Sequence, residues 1–163
     1  MDARNDAALT VTLPSDREIA MTRTFAAPRE RVFAAWTRPE HVRRWYGCGA
    51  TTMTVCEIDL RVGGAWRFVL RTQDGADHVL SGVYREIAPP ERLVYTQRFA
   101  TESFTSNEST VTMLLTEHNG KTRFTSTVVH QSVQDRDAEI KAGVETGAAA
   151  TLDRLAELLV TLT

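Results

Sequence analysis

The sequence predicts an α+β domain in which a curved antiparallel sheet wraps one long C-terminal helix. Three observations carry that expectation. From Thr51 to His130 apolar residues recur at every second position, interrupted by turn sequences. From Ile140 onward they recur at every third or fourth. Between the first strand and this long alternating region lie two short segments, each opened by a proline. The 163 residues suit one domain, and no repeat or linker divides them. Residues 1–14, polar and ending at Pro14, are expected to be a flexible tail, with residues 15–163 forming the domain.

Each element has its own reason. Ile19, Met21, Arg23 and Phe25 alternate along a first strand. Pro28 suits a first helical turn, where its missing N–H costs no hydrogen bond, and Val32, Phe33 and Trp36 follow at helical spacing. Pro39 restarts a second short helix, with Val42 and Trp45 on one side and Arg43 and Arg44 on the other. Met53 and Val55, then Ile58 and Leu60, make a strand whose change of parity predicts a bulge near Glu57. Gly63-Gly64 turns the chain into Trp66, Phe68 and Leu70, and Asp74-Gly75 is a hairpin sequence. Leu80, Gly82 and Tyr84 line the next strand, which stops at Pro89-Pro90. Leu93, Tyr95, Gln97 and Phe99 line another, and Val111, Met113 and Leu115 a further one. After Asn119-Gly120 come Phe124, Ser126, Val128 and His130. The sheet is thus expected to have six or seven strands. Ile140, Val144, Ala148, Leu152, Leu155, Leu159 and Leu162 form the stripe of one helix from about residue 135 to 161.

Composition excludes several classes of function. Nineteen Lys plus Arg against twenty-one Asp plus Glu leave a formal charge of −2, so neither nucleic acid nor an anionic membrane is expected as partner. Cys48 and Cys56 form neither a disulfide framework nor a metal-binding pair. With no leader sequence and no membrane-length apolar run, a cytoplasmic location is expected. No metal-ligand motif, phosphate-binding glycine loop or nucleophile elbow is present, so no cofactor is expected.

A sheet with one apolar face must cover it, and the last helix is the element long enough to do so. A curved sheet around a single helix tends to leave space beneath it. The inward-reading set (Trp66, Phe68, Tyr84, Tyr95, Phe99, Met113 and Phe124) suits a small-molecule pocket, with Gln97 and Ser126 able to orient a ligand. Trp45 and Tyr46 are placed to lean in from the second short helix. Gly143 and Gly147, four apart, either let the helix approach the sheet or leave room beneath it.

The run from Phe25 to Trp45 (FAAPRERVFAAWTRPEHVRRW) resembles the opening of the family named for the activator of heat shock protein 90 ATPase. Asp59–Trp66, Gly82–Leu93 and Leu152–Leu159 continue the resemblance, which covers residues 15–162. It implies the helix-grip fold of the START/Bet v-like (SRPBCC) superfamily, with a hydrophobic cavity under the last helix. Two departures stand out. Gly47-Cys48-Gly49 replaces a proline common after the second short helix, and Ala148 follows Gly147 where relatives often carry Trp. The second departure is expected to enlarge or reshape the space beneath the helix. The resemblance also implies a chaperone partner and a stress response as expectations, although about fourteen residues precede the first strand and no residue here supports a chaperone partner.

Candidate chemistry is sparse. Among the four histidines, His41 and His118 are expected at the surface and His78 at a strand edge. His130 shares a face with Phe124 and Val128 and is the one weak candidate for proton transfer. Glu57 and Glu86 remain unassigned to a face. The leading expectation is a module that binds a small hydrophobic or aromatic molecule without catalysis. The alternatives are a cyclase, hydratase or hydrolase using the same cavity, and a co-chaperone-like protein acting through its surface. A homodimer is compatible with either.

Overall fold

The computed structural model describes residues 8–47 and 50–162. Within them the chain runs β1 (Thr10–Thr12), β2 (Glu18–Phe25), α1 (Arg29–Thr37), α2 (Pro39–Trp45), β3 (Thr52–Ile58), β4 (Ala65–Arg71), β5 (Asp77–Ala88), β6 (Arg92–Ala100), β7 (Ser109–His118), β8 (Lys121–Val129), α3 (Val133–Lys141) and α4 (Val144–Thr161). The strands form one antiparallel sheet in the order β1-β2-β8-β7-β6-β5-β4-β3. This is the α+β helix-grip architecture. The sheet has eight strands rather than six or seven, because Thr10–Thr12 pairs with Ala20–Thr22. The expected tail is therefore part of the sheet from Thr10 onward.

Local chemistry sets the helix boundaries. Pro28 caps α1 in an extended conformation, and Arg38 is extended because a residue before proline is pushed out of the helical region. Pro39 then opens α2 at a position where its missing N–H costs nothing. The Ser132 hydroxyl accepts from the Asp135 N–H at 3.1 Å and caps α3. At Gly143 the backbone takes φ of 87°, the left-handed region that glycine enters without penalty. The single helix expected over 135–161 is consequently two helices, and Gly143 is the joint between them instead of an interior residue.

Two register shifts bend the sheet, one between Met53 and Val55 and one between Tyr84 and Glu86. The first corrects the bulge expected near Glu57. It turns Val55 outward opposite Val69 and brings Cys56 and Ile58 inward opposite Phe68 and Trp66. Glu57 then points away from the core and pairs with Arg67, while Glu86 pairs with Arg92 at 3.0 Å. Leu60 lies beyond β3 and is exposed.

Leu152, Leu155, Leu158 and Leu159 of α4 press against Phe25, Val32, Trp45 and Leu115 in one core. Each such side chain, fully buried, contributes about 1.5–3 kcal/mol. Arg23 is buried on the same face, its Nη1 donating to Asp153 of α4 at 2.7 Å. Arg154 donates to the Gly47 carbonyl at 3.0 Å, tying α4 to the connection after α2.

Candidate functional site

Away from the leucines of α4 the packing opens. Three adjoining spaces run between the concave face of the sheet and the helices. The innermost is about 20 Å³, bounded by Trp36, Trp66, Phe68 and Leu93, with all three of the chain's tyrosines, Tyr46, Tyr84 and Tyr95. Beside it lies a cavity of about 390 Å³ under the start of α4. Phe99, Phe124, Ser126 and Val128 form its sheet wall, and Gly143, Val144, Gly147 and Ala148 its helix wall. A third space, about 400 Å³, lies between α3 and the connection from β6 to β7. Phe104, Asn107, His130, Asp135 and Glu139 border it. Gln97 is the one side chain among the described residues that lines all three.

Aromatic rings fix the inner wall. Trp36 stacks on Phe124 with centroids 5.3 Å apart and meets Trp45 edge-on at 4.7 Å. Tyr46 joins Trp45 to Phe68, and Phe68 touches Trp66 at 4.9 Å. Edge and offset contacts of this kind are the favoured aromatic geometries. The indole of Trp66 lies over Gly82, which has no side chain to displace it, and donates to the Thr96 carbonyl at 3.2 Å. Burial pushes the Tyr84 and Tyr95 hydroxyls well above the ordinary phenol range, with the nearby Cys56 adding to the first and Tyr46 and Tyr84 to the second. Both rings are therefore neutral donors in a largely apolar space.

The polar end is built differently. His130 is buried just past β8. Its Nδ1 lies 3.1 Å from the Arg17 carbonyl, which can only accept, so Nδ1 carries a proton. Nε2 faces Oε2 of Glu139. A turn earlier on the same helix, Asp135 accepts from the Asn107 amide at 3.1 Å. Together these groups can donate and accept protons beside an apolar space.

Two expected site residues belong elsewhere. Met113 is buried in the core and lines none of the three spaces, β7 being covered there by α1. Trp45 is fully buried and donates to the Ala35 carbonyl at 2.9 Å, so it backs Trp36 and Tyr46 without lining the space. His130 borders the third space, not the one beneath α4. His78 is not at a sheet edge. It sits on β5, an interior strand, lines the second cavity and meets Phe99 edge-on at 5.4 Å. Trp36, His78 and Glu139 were missed as site residues. His78 shares its parity with Leu80 and Tyr84 and was within reach of the sequence. Cys48 lies outside the described residues.

The match that decides the family covers residues 26–160, against the family described as Activator of Hsp90 ATPase homolog 1-like protein. The chain belongs to that family. Solved structures agree with this membership. A protein from Rhodobacter sphaeroides is 25% identical, with a TM-score of 0.87 over 96% of this chain and 100% of its own. One from Staphylococcus epidermidis is 28% identical, with a TM-score of 0.81 over 93% and 94%. A third, from Mycobacterium smegmatis, is 27% identical, with a TM-score of 0.82 over 94% and 99%. No curated protein matches the chain. Among the described residues of this family member, no helix is long and apolar enough to cross a membrane, and no group of three His, Cys, Asp or Glu side chains is placed to hold a metal.

Proposed function

We propose that this protein binds a small hydrophobic or aromatic molecule in the space between the sheet and the start of α4. The observation that carries this reading is the cavity of about 390 Å³, walled by Phe99, Phe124, Val128 and Val144 with few polar groups. Its size is that of small-molecule pockets, as is an apolar lining with a few convergent hydrogen-bonding groups. A packed core leaves few voids larger than a water molecule, so a space this large beneath a helix suits an occupant. Trp36, Tyr46, Tyr95 and Gln97 continue the wall toward the inner chamber.

Titration with N-phenylnaphthylamine, an uncharged fluorophore that brightens in apolar surroundings, tests the reading. The wild-type chain should bind it saturably, and Ala148→Trp should weaken binding about tenfold or more by filling the wall opposite Phe124. Equal affinity in a folded Ala148→Trp variant would place the probe elsewhere and defeat the assignment.

A second reading, an enzyme with the same cavity, is favoured by one observation: His130 and Glu139 are paired at the border of the third space. Such a pair is the usual equipment of general acid–base catalysis. Mass spectrometry of a ligand recovered before and after incubation with the protein separates the two. An unchanged mass supports a binding module, and a mass change lost in His130→Gln supports catalysis.

A further inference from the structure

Resting on the cavity reading above, we infer that the ligand is a hydrophobic amine, its apolar body under α4 and its ammonium group at Glu139. The inference starts from the charges that line the two larger spaces. Among the described residues of their walls there is no Lys and no Arg. The ionisable side chains with a fixed sign are Asp135 and Glu139, accompanied by the imidazoles of His78 and His130. Even with both imidazoles protonated, the walls carry no net positive charge. A carboxylate or phosphate entering here would lose water and find no cation to replace it, a cost of several kcal/mol. An ammonium ion would instead find carboxylate oxygens able to accept its hydrogen bonds.

Geometry singles out Glu139. It borders both the cavity under α4 and the space against α3, so it stands where the apolar body of a ligand gives way to a polar end. His130 holds its Oε2, and the Arg17 carbonyl holds His130 in turn through Nδ1. Oε1 has no hydrogen-bond partner among the described residues and can accept from a ligand. A carboxylate fixed through one oxygen has already lost much of its side-chain freedom, which favours a directed, charge-assisted hydrogen bond from the other. Gln97, beside both spaces, adds a neutral amide that makes no side-chain hydrogen bond to the described residues. Phe99 lines both spaces too, and an aromatic ring there suits the apolar body of the ligand.

The decisive experiment is calorimetric titration of the full chain with three probes of one ring system: naphthylmethylamine, naphthylmethanol and naphthylacetate. The amine should bind at least about tenfold tighter than the carboxylate, with the alcohol between. Glu139→Gln should remove most of that advantage and leave the alcohol within about twofold. Circular dichroism must show the variant folded. Should Glu139→Gln loosen α3, Asp135→Asn, which leaves the His130 pair intact, should reduce the same ratio by a smaller factor. A carboxylate as tight as the amine overturns the inference while leaving the cavity reading in place. So does a ratio unchanged in a folded Glu139→Gln variant. Failure of all three probes, the alcohol included, overturns the cavity reading and this inference with it.

Discussion

Replacing Gly82 with Ala should destabilise the protein by about 2–4 kcal/mol, a severe effect for one methyl group. The backbone at Gly82 is not in the positive-φ region, so alanine meets no conformational penalty there. The whole cost is steric. A Cβ built on Gly82 lies 1.8 Å from the carbonyl oxygen of Thr96, 2.6 Å from its carbon and 2.7 Å from the indole nitrogen of Trp66. Two of these three are backbone atoms of β6, an interior strand that also holds β7 through Thr96 opposite Thr110. They cannot retreat without disturbing the sheet. Overpacking of this kind costs about 1–3 kcal/mol, and losing the buried Trp66–Thr96 hydrogen bond adds about 1 kcal/mol. For a domain of this size that lowers the melting temperature by roughly 5–15 °C. Urea unfolding followed by tryptophan fluorescence measures it, and because Trp66 lines the inner chamber, probe affinity should fall as well. A stability within about 0.5 kcal/mol of wild type would show that β5 and β6 do not approach as described.

Other consequences are equally direct. Arg23 is buried with Asp153 as its carboxylate partner and Nε without a partner among the described residues. Asp153→Ala should therefore cost more than Arg23→Met, which removes the buried charge itself; the reverse order in urea titrations would mean that the pair is dispensable. Because Tyr84 and Tyr95 favour the protonated form when folded, stability should be complete below the ordinary phenol value of about 10 and fall as pH rises above it. Melting temperatures across alkaline pH check this, and a flat profile would refute the burial of both hydroxyls. Burial also pushes the Cys56 thiol up, only partly offset by Arg43. In a Cys48→Ser background it should react with a disulfide reagent at least about tenfold more slowly in the folded than the unfolded protein.

How much of this was legible in the sequence depends on whether chain direction or residue phase carried the information. Alternation in β2, β4, β6 and β8 was read correctly because no register shift interrupts the residues concerned; Trp66, Phe68, Tyr95 and Phe124 all face the helices. In β3 the parity change was visible but its place was not, since Thr54 and Glu57 are equally acceptable positions for an extra residue. The same limit applies to α3 and α4. A stripe running through Ile140 to Leu162 looks continuous at helical spacing, yet a left-handed residue at Gly143 resets its phase. On α3, before that joint, Ile140 is 40% exposed and Glu139 meets His130. The candidate site follows from that joint as much as from the sheet: α4, continuing on its own phase, seals one end of the cavity with leucines. Its first turns, Gly143 to Ala148, leave the other end open beside the wall that carries Glu139.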